Sequence, residues 1–377
     1  MRELFAYWGD VGHGFPMSVG WRQDLPYNAL PMPPDAERLE TRAVLKEAVE
    51  ARAALARLDE ATGLIPNPAV LINAIPLLEA QASSEIENIV TTTDALFRHA
   101  EDDAHADPAT KEALRYRAAL RAGFDHVRSR GLTASVAMQV CSTITGHDMD
   151  LRSLPGTRIG NPFTGEVTYS PPEGRDVIAS KLADWERFIH ADDGMDPVVR
   201  MAAAHYQFEA IHPFTDGNGR TGRILNILML TDAGLLGQPL LYLSRYFIET
   251  KADYYRLLLK VTAENGWDDW IRYVLKGVAQ SSLETTRKIA DIKSLQDRFA
   301  NTARATSRGS ADSELQSVLF EQPYSRISTV MARCEVSRPT AVKWLDALVS
   351  AGALTDVRVG RERLFINHDL LELLGRR

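Results

Sequence analysis

Between residues 211 and 223 the chain reads IHPFTDGNGRTGR, which brings one histidine, one acid, three glycines and two arginines together. Gly217 and Gly219 have no side chain, so main-chain N–H groups there can come close to a ligand. The run that follows, ILNILML, is apolar on nearly every side and marks a buried helix. Asp216 to Gly219 ahead of it are turn and cap formers. A helix N-terminus opened by such a loop binds anions, through free N–H groups and the positive end of the dipole. Arg220 and Arg223 are three apart and leave the first turn on one side. Guanidinium forks match phosphate oxygens. The chemistry is that of a pocket for a polyphosphate, with Thr221 and Gly222 counted into the same turn.

Asp216 has the wrong sign for such a pocket unless a cation is present. Mg2+ takes one or two carboxylates together with phosphate oxygens, so Asp216 reads as a metal ligand and Asn218 as a polar phosphate contact. His212 stands just ahead of the loop, where an imidazole can take a proton from an incoming hydroxyl. Each feature alone has an ordinary explanation. DGNG is a common turn, a histidine before a proline is often structural, and glycines often precede helices. Their joint spacing ahead of a buried helix favours the site.

The elements that must hold these residues are mostly helical. Apolar spacing and strong helix formers predict one helix from Asp35 to about Glu60. Others are expected at about 68 to 82, 108 to 128, 133 to 146, 176 to 190, 196 to 210, 219 to 233, 249 to 263 and 267 to 303. Residues 1 to 34, rich in aromatics, Gly and Pro, read as an extended arm laid over a domain. GTRIGNPFTGEVTYSPP, 156 to 172, holds two short β-type runs around a turn and reads as a hairpin. Its free edge can take a target segment as an added strand. Tyr242, Tyr254 and Tyr255 are aromatic enough to flank a base, and equally suited to helix packing.

Length and composition set the frame. The chain has 377 residues, 45% apolar and 25% charged, which suits two or three globular domains. A net charge of -7 argues against a protein built mainly for nucleic-acid backbones. The two cysteines, Cys141 and Cys334, lie far apart and read as reduced thiols. The N-terminal residues show no signal-peptide pattern and no run reaches membrane-span length, so a cytoplasmic protein without membrane contact is expected.

The motif resembles the signature of Fic-domain proteins, HPFx(D/E)GNGRxxR, with every fixed position met and aspartate at the acidic one. The broader resemblance runs from about residue 1 to 300. It implies a helical core and transfer of AMP from ATP to a Tyr, Thr or Ser hydroxyl of a target protein or of the chain itself. By that resemblance His212 is the general base and Asp216 holds Mg2+ on the α and β phosphates. Residues 217 to 219 form the anion hole, and Arg220 and Arg223 grip the outer phosphates. Residues 157 to 170 resemble the family's flap, which holds the target as an extended segment.

QASSEIENIV, 81 to 90, holds Ser83, Glu87 and Asn88. Ser83 and Glu87 share a face if the segment is helical, which by itself is a capping pattern or a solvated polar face. The stretch also resembles the family's inhibitory-helix signature, (S/T)xxxE(G/N). That resemblance predicts Glu87 paired with Arg223, a carboxylate competing for the fork that should hold the γ-phosphate. The same glutamate can instead orient a water for removal of AMP.

Residues 324 to 367 show two helices, a turn and two β-type runs, in the order of a winged helix. Ser337, Arg338, Thr340 and Lys343 open its second helix, where such domains often meet DNA. Ten Lys and Arg against nine Asp and Glu from 308 to 377 fall short of a basic footprint. The basic residues that do cluster are Arg338, Lys343, Arg358, Arg361 and Arg363. A protein-interaction module fits equally, and a second copy of the chain is a further candidate partner.

The expected fold is therefore mainly α: a Fic-type helical core with a small β-hairpin flap, then a winged-helix domain. The expected boundaries are 1–110 for the arm and inhibitory region, 111–305 for the catalytic core and 310–377 for the C-terminal domain. The main functional expectation is a protein adenylyltransferase using ATP and Mg2+ and held back by Glu87. The alternatives are removal of AMP, transfer of another nucleotide, and a DNA-binding regulator whose pocket senses nucleotide.

Overall fold

A computed structural model describes residues 21–63, 69–101, 103–160, 164–306, 313–359 and 362–376. Residues 1–20 of the expected arm, 161–163 of the expected flap, the linker residues 307–312 and Arg361 lie outside these. Among the described residues the chain is mainly helical, with two small antiparallel sheets.

The segment expected as one helix from Asp35 is two. Asp35 caps α1 (Ala36–Leu39) and Thr41 caps α2 (Arg42–Thr62), each side chain accepting a main-chain N–H. A second cap inside a helical pattern is a start signal, and here it overrides the apolar spacing that runs across it. Next come α3 (Ala69–Ile86), α4 (Thr93–Arg98), α5 (Pro108–Arg130) and α6 (Ala134–Thr145). The hairpin β1 (Ile159–Gly160) and β2 (Val167–Tyr169) follows, with Ile159 opposite Tyr169. Then come α7 (Arg175–Ile189), α8 (Pro197–Ile211), α9 (Asn218–Asp232), α10 (Leu243–Glu249), α11 (Lys251–Glu264) and α12 (Trp267–Thr306).

The core forms around α8 and α9. Nearly every residue of both is buried, including the whole of 218–230. α5, α6 and α8 pack against α9, and α2 lies along α12. The described part of the arm, 21 to 35, crosses the base of the hairpin and reaches α8. Tyr27 N–H donates to Ser170 O at 3.0 Å, and Gln207 Nε2 donates to Pro31 O at 3.0 Å.

α3 carries one buried charge of note. Glu79 accepts from Ser244 N–H at 2.9 Å, from Tyr116 Oη at 3.1 Å and from the Ser244 hydroxyl. Burial pushes its carboxyl up to about 7 from the ordinary 4.5. The folded state therefore keeps a proton that the unfolded chain has released, so stability falls as pH rises from about 4.5 to about 7. Glu79→Gln should raise the melting temperature at pH 8 and leave it nearly unchanged at pH 5. An equal effect at both pH values would mean that Glu79 folds without a raised pKa.

The C-terminal part runs α13 (Ser313–Glu321), β3 (Tyr324–Arg326), α14 (Ile327–Arg333), α15 (Arg338–Ser350), β4 (Thr355–Val359), β5 (Glu362–Ile366) and α16 (His368–Gly375). The sheet order is β3-β5-β4, with two helices between β3 and β4. Ser337, Arg338 and Lys343 are exposed at the start of α15, and Thr340 is half-buried. Arg363 is not free for a ligand, because it pairs with Asp346 at 2.7 Å and Asp356 at 2.6 Å. Arg326 joins this part to the core through Glu101 at 2.9 Å. Lys288 of α12 donates to the last carbonyls of α16. Among the described residues no helix is long and apolar enough to cross a membrane.

Candidate active site

The loop between α8 and α9 is built by its own main chain. His212 closes α8 in the left-handed conformation, at φ 49°, and its N–H bonds Phe208 O at 3.0 Å. Gly217 is left-handed as well, at φ 77°, and opens α9 without a side-chain cap. A Cβ there would crowd Cys141 Sγ and the Thr145 methyl. The thiol of Cys141 donates to Asp216 O at 3.3 Å, and burial pushes its pKa up to about 12, so it packs and does not react. Asn218 is used internally: its Oδ1 accepts from Phe214 N–H at 2.8 Å and its Nδ2 donates to Phe214 O at 2.9 Å. These two bonds hold the loop and leave Asn218 on the lining of the cleft described below. The first turn of α9 keeps its main-chain N–H groups, with Thr221 and Gly222 buried behind them.

Both signature arginines are buried and both face carboxylates. Arg223 donates to Glu87 Oε1 at 2.7 Å, to Ser83 Oγ at 2.7 Å and to Ser83 O at 2.9 Å. The nearby carboxylates, Glu87 first among them, hold the Arg223 pKa above its usual value against the cost of burial. Arg220 pairs with Asp216 at 3.1 Å and with Glu112 of α5. Glu87 lies directly over Gly219: a Cβ at 219 would overlap Glu87 Oε1 and come within 3.0 Å of Arg223 Nη1. The absent side chain is the space the carboxylate fills.

Ser83 is on α3, and Glu87 follows its last turn. Asn88 continues it at φ 60°, while Ile89 N–H returns to Ser84 O at 3.0 Å. A left-handed residue closes this helix, and asparagine or glycine tolerates that conformation. That is a physical reason for the G/N choice in the motif. The contact between Glu87 and Arg223 lies within one chain.

His212 is buried and its Nδ1 has no hydrogen-bond partner. Burial, and then the charge of Arg152, lower its pKa to about 3, so the ring is neutral. His212 borders two spaces. A narrow apolar cavity of about 70 Å³ is shared with Glu87, Glu209, Gly219, Arg223, Tyr254 and Tyr255. A wider cleft of about 690 Å³ runs along Asp216, Gly217, Asn218, Arg220 and the strand of residues leading to β1. Tyr242 lines neither. The hairpin stands at the rim, through Ile159 and Tyr169.

Four residues here gave no sequence signal that was used. Glu209 precedes His212 by three on α8, so helical spacing alone puts the two on one side. Its carboxyl is raised to about 8 by burial. Arg152, Tyr169 and Glu112 come from distant segments, and no local pattern marks them.

Comparison with known proteins gives three family matches along the chain. Residues 45–125 match the family model described as Fic/DOC family N-terminal, and 140–230 match Fic/DOC family. Residues 295–370 match the C-terminal domain of SoFic-like protein adenylyltransferase. The chain is 38% identical over 143 residues to protein adenylyltransferase fic-1 of Caenorhabditis elegans, covering 37% of this chain and 25% of that one. It is 37% identical over 117 residues to its counterpart in Caenorhabditis briggsae, covering 30% and 21%. The chain thus spans a quarter or less of the length of these curated relatives. The crystal structure of a Fic family protein from Desulfovibrio desulfuricans G20 superposes with a TM-score of 0.55 at 19% identity, over 89% of this chain and 98% of that one. That likeness shows the fold. The three family matches follow one another along the chain and together take in well over half of it: the chain belongs to the Fic/DOC family.

Proposed function

We propose that the chain is a protein adenylyltransferase that takes ATP and is held inactive by Glu87. One observation carries this reading: the neutral His212, the open first turn of α9 and Arg223 converge on one space, and Glu87 fills the anion position there. With Glu87 withdrawn, the N–H groups of α9 and the Arg223 fork hold the outer phosphates. His212 takes the proton of a target hydroxyl as its oxygen bonds the α-phosphorus. The bond from that phosphorus to the β-bridging oxygen breaks, and pyrophosphate leaves. The incoming triphosphate is anionic and raises the pKa of the ring beside it, toward the range in which the ring accepts that proton. The hairpin edge holds the target segment by main-chain pairing.

Asp216 fits Mg2+ in a limited way. Among the described residues no cluster of three or more His, Cys, Asp or Glu forms an ion site. A lone, half-exposed carboxylate at a phosphate cleft suits an ion that brings phosphate and water ligands of its own. Bound there, Mg2+ would neutralise charge on the phosphates. Asp216 and Arg220 would have to part, or share, as Asp216 turns to the ion, and Glu112 would keep Arg220 paired.

The test follows two labels. ATP labelled at the α-phosphate should leave label in protein, and ATP labelled at the γ-phosphate should release it as pyrophosphate. Protein labelled only from the γ position would make the chain a kinase and end this reading. A second variant probes the anion position. In a Glu87→Gly chain, Gly219→Ala should weaken ATP binding at least ~10-fold, because its Cβ takes the space over the helix end and presses on Arg223 Nη1 at 3.0 Å, while alanine itself favours the helix. Unchanged affinity would place the phosphates elsewhere.

The Glu87 Oε2 atom is buried and without a hydrogen-bond partner. It favours one further reading, in which the same carboxylate orients a water that removes AMP from a modified target. Release of AMP from labelled target by the unaltered chain, lost in Glu87→Gly, separates the two.

A further inference from the structure

We infer that Arg152 is a positioning residue for His212, and that it ties the end of the flap to the main chain carrying the imidazole. The inference rests on the reading of His212 as the base.

Arg152 lies in the loop between α6 and the hairpin, and it is 3% exposed. Its side chain bonds main-chain oxygens. Nε donates to His212 O at 2.7 Å, and Nη2 donates to Ile211 O at 3.2 Å and to Pro172 O. Its own N–H donates to Pro213 O at 3.0 Å. The group thus holds residues 211, 212 and 213 together with the residue where the chain leaves the hairpin.

The arrangement answers a local need. A helix ends with carbonyls that have no intrahelical partner, and buried ones must find donors. Those at the end of α8 are met from outside: Tyr169 Oη of β2 donates to Ala210 O at 2.8 Å, and Arg152 serves Ile211 and His212. A cation also suits a helix C-terminus. With these donors in place His212 can hold its left-handed φ, a conformation uncommon for residues other than glycine. Both donors flank or belong to the hairpin, so a target segment that shifts the hairpin acts on the carbonyls that hold the base. The guanidinium is also the charged neighbour that keeps the ring from taking a proton early. The other charged groups bordering the ring's two spaces are Glu87, Glu209 and Arg223 on one side and Glu112, Arg158, Asp216 and Arg220 on the other. Glu87 is glycine in the parent and in both variants of the test below, and the others stay unchanged.

The test uses Arg152→Lys and Arg152→Met in the Glu87→Gly chain, with three readouts: transfer kinetics, ATP binding and the titration of the His212 ring by NMR. The expected result is a kcat about 100-fold lower in Arg152→Met, the scale of a misplaced reacting group, with KM for ATP changed less than ~3-fold. Lysine is a point charge without the fork, so Arg152→Lys should keep the low ring pKa yet recover little of the rate. In Arg152→Met the ring should titrate at higher pH than in its parent. A folded Arg152→Met with the parent's kcat would overturn the inference, as would an unmoved ring titration. Loss of the thermal transition in both variants would also overturn it, since Arg152 would then be a strut for the whole fold. If the Glu87→Gly parent itself transfers no AMP, the transferase reading falls; the ring titration still decides whether Arg152 governs His212.

Discussion

Glu87→Gly should raise AMP transfer by roughly 100-fold or more, a change of about 2.7 kcal/mol in barrier. The expectation comes from what the carboxylate occupies. It engages Arg223 at 2.7 Å and fills the space over Gly219, so one side chain blocks both the fork and the helix end. Phosphoryl-type transfer depends on alignment and on charge placed where it develops, and a triphosphate displaced by one ångström-scale step loses both. The same variant should be less stable without nucleotide. Arg223 is buried, and removing one partner of a buried ion pair costs about 3–5 kcal/mol. Added ATP and Mg2+ should then restore more melting temperature to Glu87→Gly than to the unaltered chain, because the γ-phosphate replaces the lost partner. Glu87→Gln keeps an acceptor but not the charge, so its rate should fall between the two. Both assays are simple: label transfer with lysate as target, and thermal melts with and without nucleotide. A Glu87→Gly chain that binds ATP more tightly and still transfers no faster would show that Glu87 does not restrain the reaction.

The hold on Arg223 reaches beyond one pair. Ser83 gives Arg223 two further acceptors from α3, and α3 is buried along most of its length. Glu79, one turn earlier, anchors the same helix to α5 and α10. Freeing Arg223 therefore requires a rotation of Glu87 alone or a shift of a well-held helix. Glu87 lies past the last turn, beside left-handed Asn88, which makes the local rotation the smaller change.

Much of this was readable in the residues, and the rest was hidden for physical reasons. The α9 core run and the loop ahead of it were legible because an all-apolar helix behind a glycine turn is a strong local pattern. The long helices were legible through their period, but the stop at Glu40 was not. There Thr41 caps a new helix inside an unbroken apolar repeat. The short helices α4 and α10 are six and seven residues, too brief for periodicity to show. The two hydrogen bonds by which Asn218 holds Phe214 were not legible, because polarity alone does not say which partners an amide takes. Arg152, Tyr169 and Glu112 meet the site from 60, 41 and 108 residues away. Nothing in the local sequence says where such a side chain ends up.

His212→Ala in the Glu87→Gly background should lower transfer by roughly 10³-fold, within the span that a positioned general base contributes. ATP affinity should hold, because the proposed function has α9 and Arg223, and not the ring, meet the phosphates. Alanine carries a second penalty, however, since position 212 is left-handed at φ 49°, a conformation that histidine adopts more readily than alanine. Asparagine adopts that conformation more readily and has no group that takes a proton at neutral pH. His212→Asn therefore separates the two roles of the position. If it loses transfer as fully as alanine while melting at a higher temperature, the imidazole acts as the base and the backbone conformation is a separate requirement. If it keeps more than about a tenth of the parental rate, the ring serves to fill space, and the proton of the target hydroxyl must leave by another route. The carboxylate neighbour on the same helix is Glu209, and its carboxyl, raised to about 8, is protonated at neutral pH and cannot take that proton until it has first lost its own.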